Sequence, residues 1–275
     1  MTGAPLTGAP LSREDFLAIS RMVRDASGIV LTDVKRDLVN GRLRRRLRML
    51  GIESFSDYRE ILEGPDGAEE RVHMVNAITT NLTSFFRESH HFEFMRNQVL
   101  PKLPNKRQRL RIWSAGCSTG EEPYSIAMTL RHAIPDLTEW DAKILATDID
   151  TDVIRTGASG RYPLERTAQV SAEYRQKYTQ RIDDDMVEMN AEIRSLIAFR
   201  QLNLLGAWPM QGQFDMIFCR NVVIYFDKAT KQRLFDRFAD ILKPDGYLFI
   251  GHSESLHKIS DRFVHVGRTI HRRVK

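Results

Sequence analysis

The run Arg111-Ile112-Trp113-Ser114-Ala115-Gly116-Cys117-Ser118-Thr119-Gly120-Glu121-Glu122-Pro123-Tyr124 constrains the fold most, because a short apolar strand breaks into a small glycine-bounded turn and then starts a helix. Glycines let backbone approach a ligand closely, and the helix N-terminus beyond them presents unpaired N–H groups, which is the shape of a nucleotide cradle. The two acids at the helix start argue against a phosphate and for a ligand with hydroxyls or positive charge. No Gly-Lys-Ser/Thr follows, so a P-loop is excluded. Gly116 and Gly120 are spaced G-x-x-x-G, which is not the dinucleotide pattern G-x-G-x-x-G.

A chain of 275 residues, 42% of them apolar, can form one large domain or two ordinary ones around a substantial core. No apolar stretch approaches the ~18 residues of a membrane span, and the first residues lack a signal-peptide pattern. The expectation is a cytoplasmic protein with no direct membrane insertion. Only Cys117 and Cys219 are present, so no disulfide framework exists, and without C-x-x-C or H-x-x-x-H spacing no metal is expected. The net charge of +5 is concentrated: residues 35 to 48 carry seven Lys/Arg against one Asp. This segment is either a solvated helix face or a docking surface for an acidic partner.

Residues 1–11 contain TGAPL twice and are expected to form a flexible tail. Ser12 and Asp15 resemble a capping box ahead of the helix face Phe16, Ile19, Val23, which ends near Gly28. A second helix is predicted from about Asp33 to Leu50, with the apolar stripe Val39, Leu43, Leu47, Leu50 and Gly51 as its cap. Arg44, Arg45 and Arg48 project from the other side, with Arg42 at the edge. Short helices over Ser54 to Leu62 and Glu69 to Thr80 complete an all-helical N-terminal domain at 12–87, followed by a linker helix at 88–108 with the breakers Pro101 and Pro104.

From 109 to 275 the pattern alternates. Strands are predicted at Leu110 to Ser114, Lys143 to Thr147, Phe199 to Asn203, Phe214 to Cys219 and Tyr247 to Gly251, with helices between and a turn at Lys243-Pro244-Asp245-Gly246. Phe263 to Val266 and Thr269 to Arg273 read as a closing antiparallel hairpin, so the fold class is α/β. The stretch of about 50 residues from Asp150 to Ala198 is too long for one crossover helix. Met186 to Met189 and Ile193 to Ile197 look like paired short strands of an inserted β-subdomain at about 177–197. The competing reading is a loop-rich extension without a binding role.

Ligands of open α/β sheets bind at the carboxyl ends of the strands. Those ends carry Gly116 to Glu122, Asp148, Asn203 and Cys219-Arg220-Asn221. Asp148 suits the two ribose hydroxyls of an adenosine ligand, because an ionised carboxylate only accepts. Its competing role is a helix cap in Asp148-Ile149-Asp150-Thr151.

The strings Thr79-Thr80-Asn81-Leu82-Thr83-Ser84-Phe85-Phe86-Arg87-Glu88, Ser118-Thr119-Gly120-Glu121-Glu122-Pro123-Tyr124-Ser125, Ala146-Thr147-Asp148-Ile149-Asp150, Phe218-Cys219-Arg220-Asn221-Val222-Val223-Ile224-Tyr225-Phe226 and Leu242-Lys243-Pro244-Asp245-Gly246 follow one another in consistent order. Together the chain resembles the CheR family, the chemotaxis receptor glutamate methyltransferases, from about residue 12 onward. The resemblance implies a Rossmann-like methyltransferase sheet and S-adenosylmethionine (SAM) as cofactor. It implies methyl transfer to receptor glutamates, giving γ-methyl esters for sensory adaptation. By family motif Asn81, Thr83, Arg87, Glu122, Asp148, Asn203, Leu204, Arg220 and Asn221 contact the cofactor. Several of these come from the N-terminal region and its linker, which suggests that the helical domain helps close the site.

Arg87 and Tyr225 are the expected catalytic residues that position carboxylates, against a surface ion pair for Arg87 and a core aromatic for Tyr225. The implied partners are the cytoplasmic helices of methyl-accepting chemoreceptors, met by Arg42, Arg44, Arg45 and Arg48. A receptor C-terminal peptide could add to the β-subdomain as a strand, although Asp183 to Asn190 is acidic and lacks the glycines of peptide-binding relatives. Cys117 and Cys219 would end neighbouring strands as two buried small hydrophobes. The chain is expected to be monomeric and to bind no nucleic acid. The alternatives are a methyltransferase acting on another substrate such as RNA, or a non-catalytic SAM-binding adaptor. The basic helix has no interleaved aromatics, which weighs against the first, and intact Arg87, Asp148, Arg220 and Tyr225 weigh against the second.

Overall fold

In the computed structural model, which describes residues 10–103 and 109–275, contacts divide the chain into the units Met1–Thr80 and Asn81–Lys275. Residues 1–9 of the expected tail and 104–108 of the expected linker, Pro104 included, lie outside the described residues.

The first unit is helical: α1 (Arg13–Ser27), α2 (Arg36–Leu50), α3 (Phe55–Glu63) and α4 (Gly67–Ile78). Ser12 Oγ accepts from the Asp15 N–H at 3.0 Å and donates to the Asp15 carboxylate, so the cap forms as its spacing predicts. Phe16, Ile19 and Val23 of α1 are buried, as are Val39, Leu43 and Leu47 of α2. Leu50 is not part of that stripe. It is 39% exposed, because the helix ends on Gly51 in the left-handed region and its last residue turns outward. Arg46, which the basic run hides among its neighbours, donates Nε and Nη2 to both oxygens of buried Glu70 at 2.7 and 2.6 Å. Tyr58 donates to the same carboxylate at 2.8 Å, which ties α2, α3 and α4 together.

In the second unit the strands are β1 (Arg109–Ala115), β2 (Asp141–Asp148), β3 (Arg161–Pro163), β4 (Thr179–Arg181), β5 (Met186–Met189), β6 (Ile197–Gln201), β7 (Phe214–Cys219), β8 (Leu242–Ile250), β9 (Phe263–Gly267) and β10 (Ile270–Arg273). The helices are α5 (His90–Phe94), which runs on through a π turn and a 3-10 turn to Lys102, then α6 (Glu121–Ala133), α7 (Thr151–Ser159), α8 (Ala172–Tyr178), α9 (Ala191–Arg194) and α10 (Lys228–Ile241). Seven strands form the main sheet in the order β6-β2-β1-β7-β8-β10-β9. The first five are parallel and β10 is antiparallel to both neighbours. This is the Rossmann-like sheet with its closing hairpin.

Consecutive residues alternate between two buried faces. Ile112, Met216, Phe218 and Phe249 join a cluster with Tyr124 and Met128 of α6, while Trp113, Ile217, Cys219 and Leu248 join one with Phe235 and Phe238 of α10. The sheet order reverses between β1 and β7, so ligand access is expected at their carboxyl ends.

Two expectations need correction. Met186–Met189 does not pair with Ile193 to Ile197. It is the centre of a small antiparallel sheet in the order β3-β5-β4, Ile193 is buried in α9, and Ile197 opens β6 of the main sheet. So short an apolar run does not distinguish a helical turn from a strand. The turn Lys243 to Gly246 lies inside β8, where the register jumps from Phe214↔Leu242 to Met216↔Tyr247 and Asp245 takes φ +59°.

Candidate functional site

After β1 the backbone turns through Gly116 (φ +90°), Ser118 (φ +50°) and Gly120 (φ +98°) before α6 begins. A Cβ on Gly116 would lie 2.3 Å from Val222 Cγ2, and one on Gly120 2.8 Å from Tyr162 Oη, so both positions need glycine for space as well as conformation. The Gly116 and Cys117 N–H groups donate to the Thr147 carbonyl at 2.8 and 2.9 Å, and the Ser118 N–H donates to Asp148 Oδ2 at 2.8 Å. The turn is thereby stitched to the end of β2.

The two acids at the start of α6 have separate partners. Glu121, fully buried, meets Arg166 Nη2 at 2.5 Å and accepts from the Thr119 hydroxyl at 2.7 Å. Glu122 accepts from Ser114 Oγ at 2.7 Å and Arg220 Nη1 at 2.9 Å. Each acid thus has an arginine partner within the protein, Arg220 being shared between Glu122 and Glu88, so the helix start presents a partly screened negative charge to a ligand.

Asp148 is half-buried, and each of its oxygens accepts one backbone N–H, from Ser118 at 2.8 Å and Asp150 at 3.0 Å. Burial pushes its carboxyl above the ordinary aspartate value, and the N–H groups of Asp150 and Ser118 only partly offset this. A carboxylate offers about four acceptor sites, so capacity remains for two hydroxyls. The helix cap is Asp150, not Asp148: Asp150 Oδ1 accepts from Asp152 N at 2.9 Å. Asn81 Nδ2 donates to Asp150 Oδ2 at 2.7 Å, and the Asn81 carbonyl accepts from Ser118 Oγ at 3.0 Å. Asn81, Thr83 and Arg87 all belong to the second unit. The Thr83 carbonyl accepts from Arg166 at 3.4 Å, and Arg87 Nη1 donates to the Leu82 carbonyl at 2.8 Å.

Arg220, with 2% of its side chain exposed, bridges Glu122 and Glu88, whose Oε2 lies 3.5 Å away, and also donates to the Arg87 carbonyl. Burial pushes Glu88 up, but the Arg220 charge and hydrogen bonds from His252 outweigh it and hold Glu88 below the ordinary glutamate value. Glu88, His90 and His91 bring donor atoms within 4.8 Å of one another, yet the Arg220 guanidinium beside Glu88 opposes a cation there, and we assign no metal to the cluster. Asn203 Oδ1 accepts from the Leu205 N–H at 2.9 Å, and Arg237 of α10 holds the carbonyls of Leu204 and Gly206 at 2.8 and 2.7 Å. Asn221 takes φ +60°, and Tyr225, half-buried, ends the 3-10 turn Val223–Tyr225. Cys117 and Cys219 are free and buried, and burial raises both thiols well above their ordinary value.

The four arginines expected to dock a partner lie in the first unit and divide by role. Arg42 caps α4, donating to the Ile78 and Thr79 carbonyls at 2.5 and 2.6 Å. Arg44 donates to Asn40 Oδ1 at 3.1 Å, while Arg45 and Arg48 are exposed. Ser114, Glu88, Arg166 and Arg237 were not singled out from sequence. Ser114 is the visible signal, a polar residue at the buried carboxyl end of β1 next to Trp113 and Ala115, whereas the others act across long chain separations.

Two buried histidines in the second unit give it an acid sensitivity. Burial, then Arg220 and His90, pulls His91 down to about 3, and burial with His265 pulls His271 down to about 4. Below pH about 6.5 the unfolded chain takes up protons that the fold refuses, so stability falls as pH drops, by about 1.4 kcal/mol per pH unit for each histidine. Urea unfolding at pH 7 and 5.5 is expected to show this loss, and to show less of it when His91 and His271 are replaced; an unchanged midpoint in the unaltered chain would contradict it.

Residues 14–79 match the family model described as CheR methyltransferase, all-alpha domain, and residues 81–271 match CheR methyltransferase, SAM binding domain. The chain is 44% identical over 264 residues to the chemotaxis protein methyltransferase 2 of Pseudomonas aeruginosa, covering 94% of this chain and 93% of that protein. It is 42% identical over 266 residues to the chemotaxis protein methyltransferase of Escherichia coli, covering 95% and 91%. A probable chemotaxis protein methyltransferase of Rhizobium etli is 41% identical over 251 residues, covering 89% and 92%.

Proposed function

The chain belongs to the CheR methyltransferase family, and from that premise we propose that it methylates glutamate side chains on the cytoplasmic helices of methyl-accepting chemoreceptors, forming γ-methyl esters. Family membership makes it a SAM-dependent methyltransferase; the glutamate substrate, the receptor and the residue roles are what the proposal adds. The observation that carries the cofactor side is Asp148, half-buried at the end of β2 with one N–H on each oxygen and acceptor capacity to spare. In this reading Asp148 takes the ribose hydroxyls, and Asn81, Thr83, Arg87, Glu122, Asn203, Leu204, Arg220 and Asn221 complete the cofactor contacts. Among the described residues no helix is long and apolar enough to cross a membrane.

SAM supplies a methyl group activated by a positively charged sulfur. A substrate glutamate, with an ordinary pKa of about 4.3, is already ionised at neutral pH, so the chain need supply no general base. Its contribution is alignment in a water-poor site, an effect that reaches about 7–11 kcal/mol when reacting atoms are held in near-attack geometry. Arg87 and Tyr225 are assigned to hold the substrate carboxylate, Arg87 through its forked N–H groups and Tyr225 through its hydroxyl. Arg44, Arg45 and Arg48 are assigned to the acidic receptor helices, while Arg42 contributes by holding the end of α4. A receptor C-terminal peptide would add at β4, an outer strand of the small sheet whose Gln180 and Arg181 are exposed.

This division of labour has a direct test. Replacing Arg44, Arg45 and Arg48 together with alanine is expected to lower receptor methylation at limiting receptor by about tenfold or more and to flatten its salt dependence. Calorimetric SAM affinity is expected to stay unchanged. Equal loss of cofactor affinity would refute the assignment.

A further inference from the structure

The end of β7 and the turn after β8 meet on one carboxylate that none of the site roles above includes. Glu254 is 8% exposed. Its Oε2 accepts from the Gly251 N–H at 2.5 Å and the Asn221 N–H at 3.0 Å, and its Oε1 accepts from the Val223 N–H at 2.9 Å. Among the described residues no lysine or arginine pairs with it; its neutralising groups are backbone dipoles. Burial raises its carboxyl above the ordinary glutamate value against the pull of those N–H groups.

The segment it grips is under conformational constraint. Asn221 sits at φ +60°, in the left-handed region that few non-glycine residues adopt and asparagine tolerates best, so the loop is held in a specific turn geometry. Gly251 allows the two backbones to touch, since a Cβ there would lie 2.5 Å from Asn221 Nδ2 and 2.8 Å from Asn221 N. The residue before Asn221 is Arg220, and the residue two beyond Val223 is Tyr225. A single carboxylate therefore sets the backbone between Arg220, Asn221 and Tyr225.

We propose that Glu254 is the positioning residue of the cofactor site: by accepting the N–H groups of Asn221, Val223 and Gly251 it fixes the backbone that presents Arg220, Asn221 and Tyr225. This rests on the methyltransferase reading of the site. Glu254 acts through the loop it holds, not by contact with the reacting atoms. Glutamine at 254 keeps one acceptor oxygen and turns an NH2 group toward an N–H donor, which breaks the three-way grip without changing side-chain size.

The test uses the full chain and S-adenosylhomocysteine, a neutral ligand that separates positioning from simple charge attraction. Calorimetry on Glu254→Gln is expected to show affinity weakened about tenfold or more, with kcat for methyl transfer also reduced at saturating SAM. Gly251→Ala, which pushes Asn221 from the same place without altering charge, is expected to give the same loss and keeps the inference testable if Glu254→Gln does not fold. Phe235→Leu, on the buried face of α10, serves as a control for general destabilisation. Affinity in both loop variants no weaker than in that control would overturn the inference. Failure of the unaltered chain to bind the ligand would instead overturn the methyltransferase reading.

Discussion

Replacing Arg220 with alanine is expected to destabilise the Asn81–Lys275 unit by about 3–5 kcal/mol, a large share of the ~5–15 kcal/mol that holds a typical domain folded. The side chain is almost wholly buried, and its guanidinium meets Glu122 at 2.9 Å, Glu88 at 3.5 Å and the Arg87 carbonyl. Removing it strands two poorly solvated carboxylates at the junction of β7, α6 and the segment preceding α5. Lysine is expected to recover only part of the loss, because one ammonium cannot reproduce the fork that reaches several acceptors. Adding Glu122→Gln to Arg220→Ala should cost less than the sum of the two, since the second change removes a charge that the first left unpaired. Urea unfolding without ligand measures all of this, and a loss below about 1 kcal/mol for Arg220→Ala would contradict the account.

Asp148→Ala is expected to separate binding from stability in the opposite sense. Its carboxylate is half-buried, so water can take over the Ser118 and Asp150 N–H groups. Unfolding should change little, while SAM affinity falls about ten- to a hundredfold, the worth of hydrogen bonds to a charged acceptor. Asp148→Asn should fall between, because the amide nitrogen cannot accept and will face one of the two N–H donors. Calorimetry decides the point. Unchanged affinity in Asp148→Ala would remove the ribose assignment and with it the main support for the cofactor site.

What could be read from the sequence was local. Gly116 and Gly120 bounding a turn between a strand and α6 are legible because positive φ and close approach leave few other choices. Ser12, Gly28 and Gly51 mark helix ends for similar reasons. Asp148 and Arg220 are legible by their positions at strand ends, though not by their partners. What escaped depends on long-range pairing: Arg166 on Glu121, Arg237 on Leu204 and Glu254 on Asn221 join residues separated by more than thirty positions. The small sheet was half seen, because β5 carries an apolar signal whereas β3 and β4 are three residues each. The partners of the acidic start of α6, Arg166 and Arg220, are not legible in the sequence, since they lie elsewhere in the chain.

The central claim is receptor glutamate methylation, and methyl-labelled SAM tests it most directly. The chain would be incubated with chemoreceptor cytoplasmic fragments and, in parallel, with RNA. The account predicts base-labile label on receptor glutamates; label on RNA alone, or SAM binding without transfer to the receptor, would contradict it.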